Sequence, residues 1–194
     1  LGLFRAGSHR IVTDRTLMAM PETAIGFFPD VGASYFLHKV PCRLGWLLGI
    51  SGLTFSGEDA VHLGLAHTIV ASGMRRKFIS DLLSLRWSDD SDSNWKLADD
   101  FLNRIRFTPE SNRFSDVIEQ VNSVFLEENY SELRKAWKGL EHPLFKDSYK
   151  TLERGSQQAA QITFELLRRS KEWTRTEATS REWDLAMHFC ESPD

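Results

Sequence analysis

The sequence predicts a mixed α/β protein, with a strand-and-turn block up to about residue 71 and an almost wholly helical region after it. Short patterns typical of β-strands occur only in the first block. From about residue 74 onward, apolar residues recur at helical spacing. Three short strands cannot form a stable sheet by themselves. We therefore expect them to join a larger sheet whose other strands lie outside these 194 residues.

The expected strands cover residues 9–13, 16–20 and 66–70. A helix is predicted over residues 33–40, where Pro41 ends it, and a second short helix should close at Gly52 in a left-handed conformation. Ser56 is predicted to cap a third helix. Later helices are expected at residues 95–107, 117–126 and 133–140, and the last two near residues 156–189. The acidic, serine-rich residues 88–94 are predicted to form a solvated loop.

The composition excludes several classes of function. With 41% hydrophobic and 26% charged residues and a net charge of −3, the chain has no general affinity for nucleic acid or anionic membranes. No apolar run approaches the ~20 residues that span a bilayer. The two cysteines have no metal-ligand spacing, which favours free thiols in a reducing compartment. Spacing typical of a metal site is also missing from the histidines at positions 9, 38, 62 and 67.

Residues 20–37 contain the candidate catalytic groups, Glu22 and Asp30. Two prolines and two glycines make this segment stiff and non-repetitive, and large apolar residues surround both carboxylates. A carboxylate that is partly shielded from water has a raised pKa and is suited to proton transfer. A purely structural interpretation is also open. In that case Asp30 caps the following helix and Glu22 is an ordinary loop acid.

The chain resembles the crotonase (enoyl-CoA hydratase/isomerase) superfamily, and within it most closely the 3-hydroxyisobutyryl-CoA hydrolases. The resemblance rests on Met-Pro-Glu-Thr-Ala-Ile-Gly-Phe-Phe-Pro-Asp-Val-Gly at residues 20–32, Tyr-Phe-Leu at 35–37, Ser-Gly-Leu at 51–53, Ser-Gly-Glu-Asp-Ala at 56–60 and Gly-Leu-Ala at 64–66. It implies a partial crotonase-type ββα spiral over residues 1–71. Residues 72–194 would then be a helical region with closing helices near 156–189.

Two positions separate the hydrolases from the hydratases of this superfamily. Hydratases use two glutamates, and the first of them aligns with Gly2 here. Where hydratases carry glycine in a Pro-Gly-x-Gly-Gly turn, this chain has Asp30. A hydratase that lacks one of its acids loses half of its acid–base pair. The resemblance therefore implies hydrolysis rather than hydration.

The resemblance also implies how the site works. Glu22 would be the main catalytic carboxylate, which either attacks the thioester carbonyl or activates water. Asp30 would hydrogen-bond the 3-hydroxyl of the substrate or assist proton transfer. Tyr35 is expected either to line the acyl pocket or to pack in the core. The two backbone N–H groups of the family's oxyanion hole would precede Leu1, so we expect the 194 residues alone to be inactive.

The implied biology is the hydrolysis of 3-hydroxyisobutyryl-CoA in valine breakdown in the mitochondrion, with the peroxisome as an alternative. Coenzyme A would be part of the substrate, and no separate cofactor is expected. Self-association through the C-terminal helices is one expectation, whereas a membrane or nucleic-acid partner is not. Two alternative functions stay open. They are a structural subunit of the mitochondrial ribosome and another acyl-CoA reaction, such as hydration or isomerisation.

Overall fold

The computed structural model describes residues 1–107, 109, 112–126 and 128–191. The chain divides into two compact units, each assembled from separate stretches. Unit 1 contains Leu1–Ser8, Met18–Phe55 and Arg113–Asp194, and unit 2 contains His9–Leu17 and Ser56–Asn112. The sequence analysis divided the chain at residue 71, and this boundary does not coincide with the two units. The extent of the spiral core stays a prediction.

The secondary structure is mostly helical. The α-helices are α1 Gly2–Ala6, α2 Ala33–Leu37, α3 Leu44–Ser51, α4 Gly57–His62, α5 Arg75–Leu83, α6 Ser91–Ile105, α7 Ile118–Val124, α8 Tyr130–Lys138, α9 Pro143–Arg154, α10 Gln157–Arg169 and α11 Arg175–Glu191. The strands are β1 Ile11–Thr13, β2 Leu17–Met18, β3 Phe55–Ser56 and β4 Thr68–Val70. Short 3₁₀ helices lie at Glu22–Ile25, Pro41–Arg43, Ser72–Met74, Ser115–Val117 and Ser170–Glu172.

The strands form two small sheets. β1 and β4 run parallel, with Val12 opposite Ile69, and β2 pairs with β3. The three predicted strand segments are confirmed in shorter form, whereas β3 was not predicted. Its two residues are too few to show a period-two pattern.

The predicted helix ends at Gly52, Ser56 and Ser156 are confirmed, whereas α2 ends at Leu37, before the predicted end at residue 40. Gly52 closes α3 with a φ of 68°, Ser56 forms a capping box with Asp59, and the Ser156 side chain accepts a hydrogen bond from the Ala159 N–H. The predicted loop at residues 88–94 is wrong in its second half. There the Asp90 carboxylate accepts a hydrogen bond of 2.8 Å from the Ser93 N–H, and α6 begins at the next residue, Ser91. The acidic side chains thus stabilise a helix N-terminus.

The core of unit 1 is built around α3, which is buried along its whole length. It packs against α2, α9 and α10. Gly45 allows the close approach to α2, because a side chain there would overlap the Leu37 carbonyl oxygen. The Trp46 and Phe164 rings meet edge to face at 5.9 Å between centroids. The fixed position of α2 matters because the candidate carboxylates precede this helix.

Unit 2 has a smaller core around the β1–β4 pair and α4, with Val12, Leu63 and Ile69 buried. A cavity of about 400 Å³ lies between β4, α5 and α6, lined mainly by apolar residues such as Phe78 and Phe101. Among the described residues, no helix combines the length and the apolar character needed to cross a membrane.

Candidate active site

Glu22 is the first residue of a 3₁₀ helix, Glu22–Ile25, that rigid neighbours define on both sides. Pro21 precedes it, and Gly26 ends it with a φ of 78°. The Ala24 N–H donates to the Pro21 carbonyl at 2.9 Å, and the Phe27 N–H donates to the Glu22 carbonyl at 3.0 Å. These bonds give the Glu22 backbone a single orientation.

The junction between α9 and α10 anchors this 3₁₀ helix. The Ser156 N–H donates to the buried Thr23 carbonyl at 2.8 Å. A Cβ atom on Gly155 would lie 2.9 Å from the same carbonyl oxygen and 3.3 Å from the Ala24 Cα, so glycine is required for this approach. The position of Glu22 therefore depends on residues more than 130 positions away in the sequence.

The carboxylate of Glu22 lies in a partly desolvated environment. Its side chain is half-buried, and the buried Oε2 atom has no hydrogen-bond partner among the described residues. Burial raises the pKa of Glu22 above its ordinary value of 4.5, and the negative charge of Asp30 raises it further. A hydrogen bond from the Glu22 backbone opposes this rise in the pKa only in part. The structure thus brings the two predicted carboxylates within electrostatic range of each other.

Asp30 follows a well-packed aromatic segment. Phe28 is fully buried, and its ring lies 4.5 Å from the Phe27 ring and 5.4 Å from the Phe189 ring of α11. The interpretation of Asp30 as a helix cap is wrong. The N-cap of α2 is Gly32, at a φ of 84°, and no side chain caps the helix there. A left-handed turn thus separates Asp30 from the helix, and the catalytic role of its carboxylate stays a prediction.

Glu182 of α11 holds the turn after Asp30. Its buried carboxylate accepts hydrogen bonds from the Gly32 N–H at 2.6 Å, the Ser34 N–H at 2.8 Å and the Ser34 hydroxyl at 2.5 Å. The sequence analysis assigned no role to Glu182. A carboxylate among Ala178, Leu185 and Phe189 was the available signal, because buried acids require hydrogen-bond donors.

Gly2, which the resemblance aligns with the first glutamate of hydratases, lies against Val31. A Cβ atom on Gly2 would lie 2.6 Å from the Val31 Cβ and 2.8 Å from the Val31 carbonyl oxygen. Val31 itself has a positive φ of 53°, which β-branched residues rarely adopt. An acidic side chain on α1 would therefore require the turn after Asp30 to move.

Tyr35 lies on α2 beside this turn. Lys39 Nζ is 3.8 Å from the centre of the Tyr35 ring, and the Arg175 guanidinium is 5.7 Å from it. A hydrogen bond from Lys39 and its positive charge lower the pKa of the Tyr35 phenol. With Gly2 and Val31, Tyr35 lines a cavity of about 120 Å³. Its contact with substrate stays a prediction.

The other titratable residues do not form a second centre within the described part of the chain. No three histidine, cysteine or acidic side chains there are grouped to hold a metal. His9 stacks on Trp95 at 5.2 Å and contacts Asp99 at 3.0 Å. Cys42 and Cys190 are free thiols, as predicted.

A family model described as enoyl-CoA hydratase/isomerase matches residues 1–194. The chain belongs to this family. It is 29% identical over 192 residues to the mitochondrial 3-hydroxyisobutyryl-CoA hydrolase of Gallus gallus, covering 96% of this chain and 49% of that protein. With the Rattus norvegicus protein of the same name the identity is 28% over 194 residues, covering 100% and 50%. The chain thus spans about half the length of these relatives.

Solved structures show the same fold. A carnitinyl-CoA dehydratase from Mycobacterium thermoresistibile superposes with a TM-score of 0.86 at 25% identity, covering 100% of this chain and 54% of that one. An enoyl-CoA hydratase from Rhodobacter sphaeroides 2.4.1 superposes with a TM-score of 0.73 at 27% identity, covering 92% of this chain and 49% of that one. The predicted crotonase-type α/β fold with a helical C-terminal region is therefore confirmed.

Proposed function

We propose that the intact protein hydrolyses a short-chain 3-hydroxyacyl-CoA thioester, with 3-hydroxyisobutyryl-CoA as the first candidate. The observation that carries this proposal is Glu22. Its carboxylate has a buried oxygen without a partner in the described part of the chain and lies within electrostatic range of Asp30. Relatives named 3-hydroxyisobutyryl-CoA hydrolase support the substrate class.

Two mechanisms fit this geometry. In the first, Glu22 removes a proton from water, the water oxygen attacks the thioester carbon, and the C–S bond breaks to release coenzyme A, whose thiolate takes up a proton. In the second, Glu22 attacks the thioester carbon itself, coenzyme A leaves, and water hydrolyses the resulting anhydride. A carboxylate with a raised pKa is a stronger base, which assists the first route. Asp30 binds the 3-hydroxyl group or assists proton transfer.

The proposal has consequences for the cell. The reaction needs no cofactor, since coenzyme A enters as part of the substrate. Relatives that are named mitochondrial support a mitochondrial location and a place in valine breakdown. Self-association through α11 fits the exposure of Trp183 and Met187 on this helix. These properties belong to the intact protein.

The first prediction concerns the two carboxylates. We expect Glu22→Gln to lower kcat for 3-hydroxyisobutyryl-CoA by about 10²–10⁴-fold, since it removes the general base or nucleophile. Asp30→Asn should lower kcat/KM by at least about 10-fold. Release of free thiol from the intact protein measures both effects. Glu119→Gln, an exposed acid on α7, is the control. Equal rates for wild type and both site variants would refute the assignment.

Hydration of an enoyl-CoA is the second candidate, because both solved neighbours described above are named as a dehydratase or a hydratase. The contact between Gly2 and Val31 opposes it, since this site lacks space for the first hydratase glutamate. The intact protein should also be incubated with an unsaturated acyl-CoA. The loss of absorbance of the conjugated double bond then measures hydration. Fast hydration with no release of thiol would favour this second reaction.

A further inference from the structure

Helix α11 is attached to the candidate catalytic segment at two points, one on each side of Asp30. Before Asp30, the Phe189 ring contacts the Phe27 ring at 5.3 Å and the Phe28 ring at 5.4 Å. After Asp30, Glu182 accepts the three hydrogen bonds from Gly32 and Ser34. Glu182 and Phe189 are seven residues apart, about two helical turns, so both contacts lie on one face of the helix.

We propose that Glu182 is a positioning residue that fixes the turn carrying Asp30 and thereby sets the geometry of the two carboxylates. Glu182 is only 3% exposed, so water does not compete for its oxygens. The Ser34 carbonyl is held as well, by the Ser170 hydroxyl at 2.9 Å. Ser34 is thus bonded through its N–H, hydroxyl and carbonyl groups. Only the expected effect on kcat rests on the proposed function, whereas the expected effect on hydrogen exchange does not.

The chemistry of the three donors requires a carboxylate. An ionised Glu182 is an acceptor at both oxygens, which matches the N–H and O–H groups that face it. A glutamine of the same shape has one acceptor oxygen and one amide donor. Its NH₂ group would face either Gly32 or Ser34, donor against donor. The turn after Asp30 would then relax, although the volume of the side chain stays the same.

The test compares Glu182→Gln with Asp184→Asn in the intact protein. Asp184 is an exposed acid on the same helix and serves as the matched control. Two readouts are measured. The first is kcat and KM for 3-hydroxyisobutyryl-CoA, each determined separately for every variant. The second is hydrogen exchange at the Gly32 and Ser34 amides, followed by NMR or by mass spectrometry of short peptides.

We expect Glu182→Gln to lower kcat by about 10- to 100-fold with KM within about threefold, because a small misplacement of a catalytic group slows the chemical step more than binding. Exchange at Gly32 and Ser34 should accelerate at least about 10-fold, while Asp184→Asn should match wild type. Wild-type kcat in Glu182→Gln, with or without faster exchange, would overturn the positioning role. So would a fall in kcat without faster exchange at these two amides.

Two further outcomes are decisive. If the wild-type protein releases no thiol, the proposed function is refuted. Hydrogen exchange at Gly32 and Ser34 is then the only test of the positioning role of Glu182. Unchanged exchange in Glu182→Gln would overturn the inference, and accelerated exchange would support it. If Glu182→Gln does not fold, Ser34→Ala replaces it, since this change removes only the hydroxyl donor. A wild-type kcat and wild-type exchange at Gly32 in Ser34→Ala would overturn the proposal.

Discussion

At the scale of single residues, the site depends on a carboxylate that is kept partly out of water. Glu22 has a buried oxygen without a hydrogen-bond partner among the described residues, and its pKa is raised first by burial and then by the charge of Asp30. Folding favours the protonated form of such a group over its ionised form. Ionisation of Glu22 therefore destabilises the folded state.

This arrangement predicts how stability responds to pH. At pH 7 we expect Glu22→Gln to be more stable than wild type by up to about 1 kcal/mol, since solvent screens a half-buried charge. The folded pKa of Glu22 lies above its ordinary value of 4.5, so the difference should shrink as the pH falls through the folded pKa. Well below pH 4.5 both folded and unfolded chains hold the proton, and the difference should approach zero.

Urea denaturation of both proteins at several pH values between 4 and 8 measures this difference, with Glu119→Gln as an exposed control. A gap between Glu22→Gln and wild type that is the same at pH 4 and pH 8 would contradict the prediction. In that case the effect would come from packing rather than from charge.

The sequence singled out Glu22 and Asp30 because their neighbours in the chain restrict the backbone, and the family resemblance implied their catalytic roles. It could not decide whether Asp30 caps α2, since this depends on the left-handed turn at Gly32. Glu182 was missed for a similar reason. Its donors lie about 150 positions away, and only the folded chain brings them together. Local patterns thus predict candidate groups, whereas long-range contacts decide what each group does.

At the scale of elements, helix ends were predictable where one side chain determines them. Ser56 and Ser156 each accept a hydrogen bond from an N–H group three residues later. The start of α6 was mispredicted because its acidic, serine-rich sequence also fits a solvated loop. The anchoring of the Glu22–Ile25 helix by Gly155 was not predictable, since glycine gives no sign of what approaches it.

This anchor gives a prediction for Gly155→Ala. The backbone of Gly155 is extended, so alanine suits its dihedral angles, but the new Cβ atom would lie 2.9 Å from the Thr23 carbonyl oxygen. We expect a loss of about 1–3 kcal/mol in the free energy of unfolding and a lower kcat, because the Glu22–Ile25 helix must shift.

Denaturation and thiol-release assays measure these two effects. Gly139→Ala is the matched control, since its nearest neighbour atom would be 3.5 Å away at an exposed helix end. The prediction is contradicted if the two alanine variants are equally stable and equally active.

At the scale of the whole molecule, fold and family could be established from these 194 residues, although the chain spans only about half the length of its curated relatives. The two strand pairs within the described residues are too small to be stable sheets on their own. The larger sheet that the sequence analysis expects stays a prediction. We likewise expect the catalytic activity of the intact protein to need more than these 194 residues.

The final prediction addresses that need directly. Hydrolysis of a thioester requires donors for the developing oxyanion, and the resemblance places both of them before Leu1. The amides of Gly32 and Ser34, next to the candidate acids, already donate to Glu182. We therefore expect the 194-residue chain alone to hydrolyse 3-hydroxyisobutyryl-CoA at least about 10²-fold more slowly than the intact protein. Thiol release from both proteins, with circular dichroism to verify folding, measures the ratio. Equal kcat/KM values would show that the oxyanion donors lie within residues 1–194.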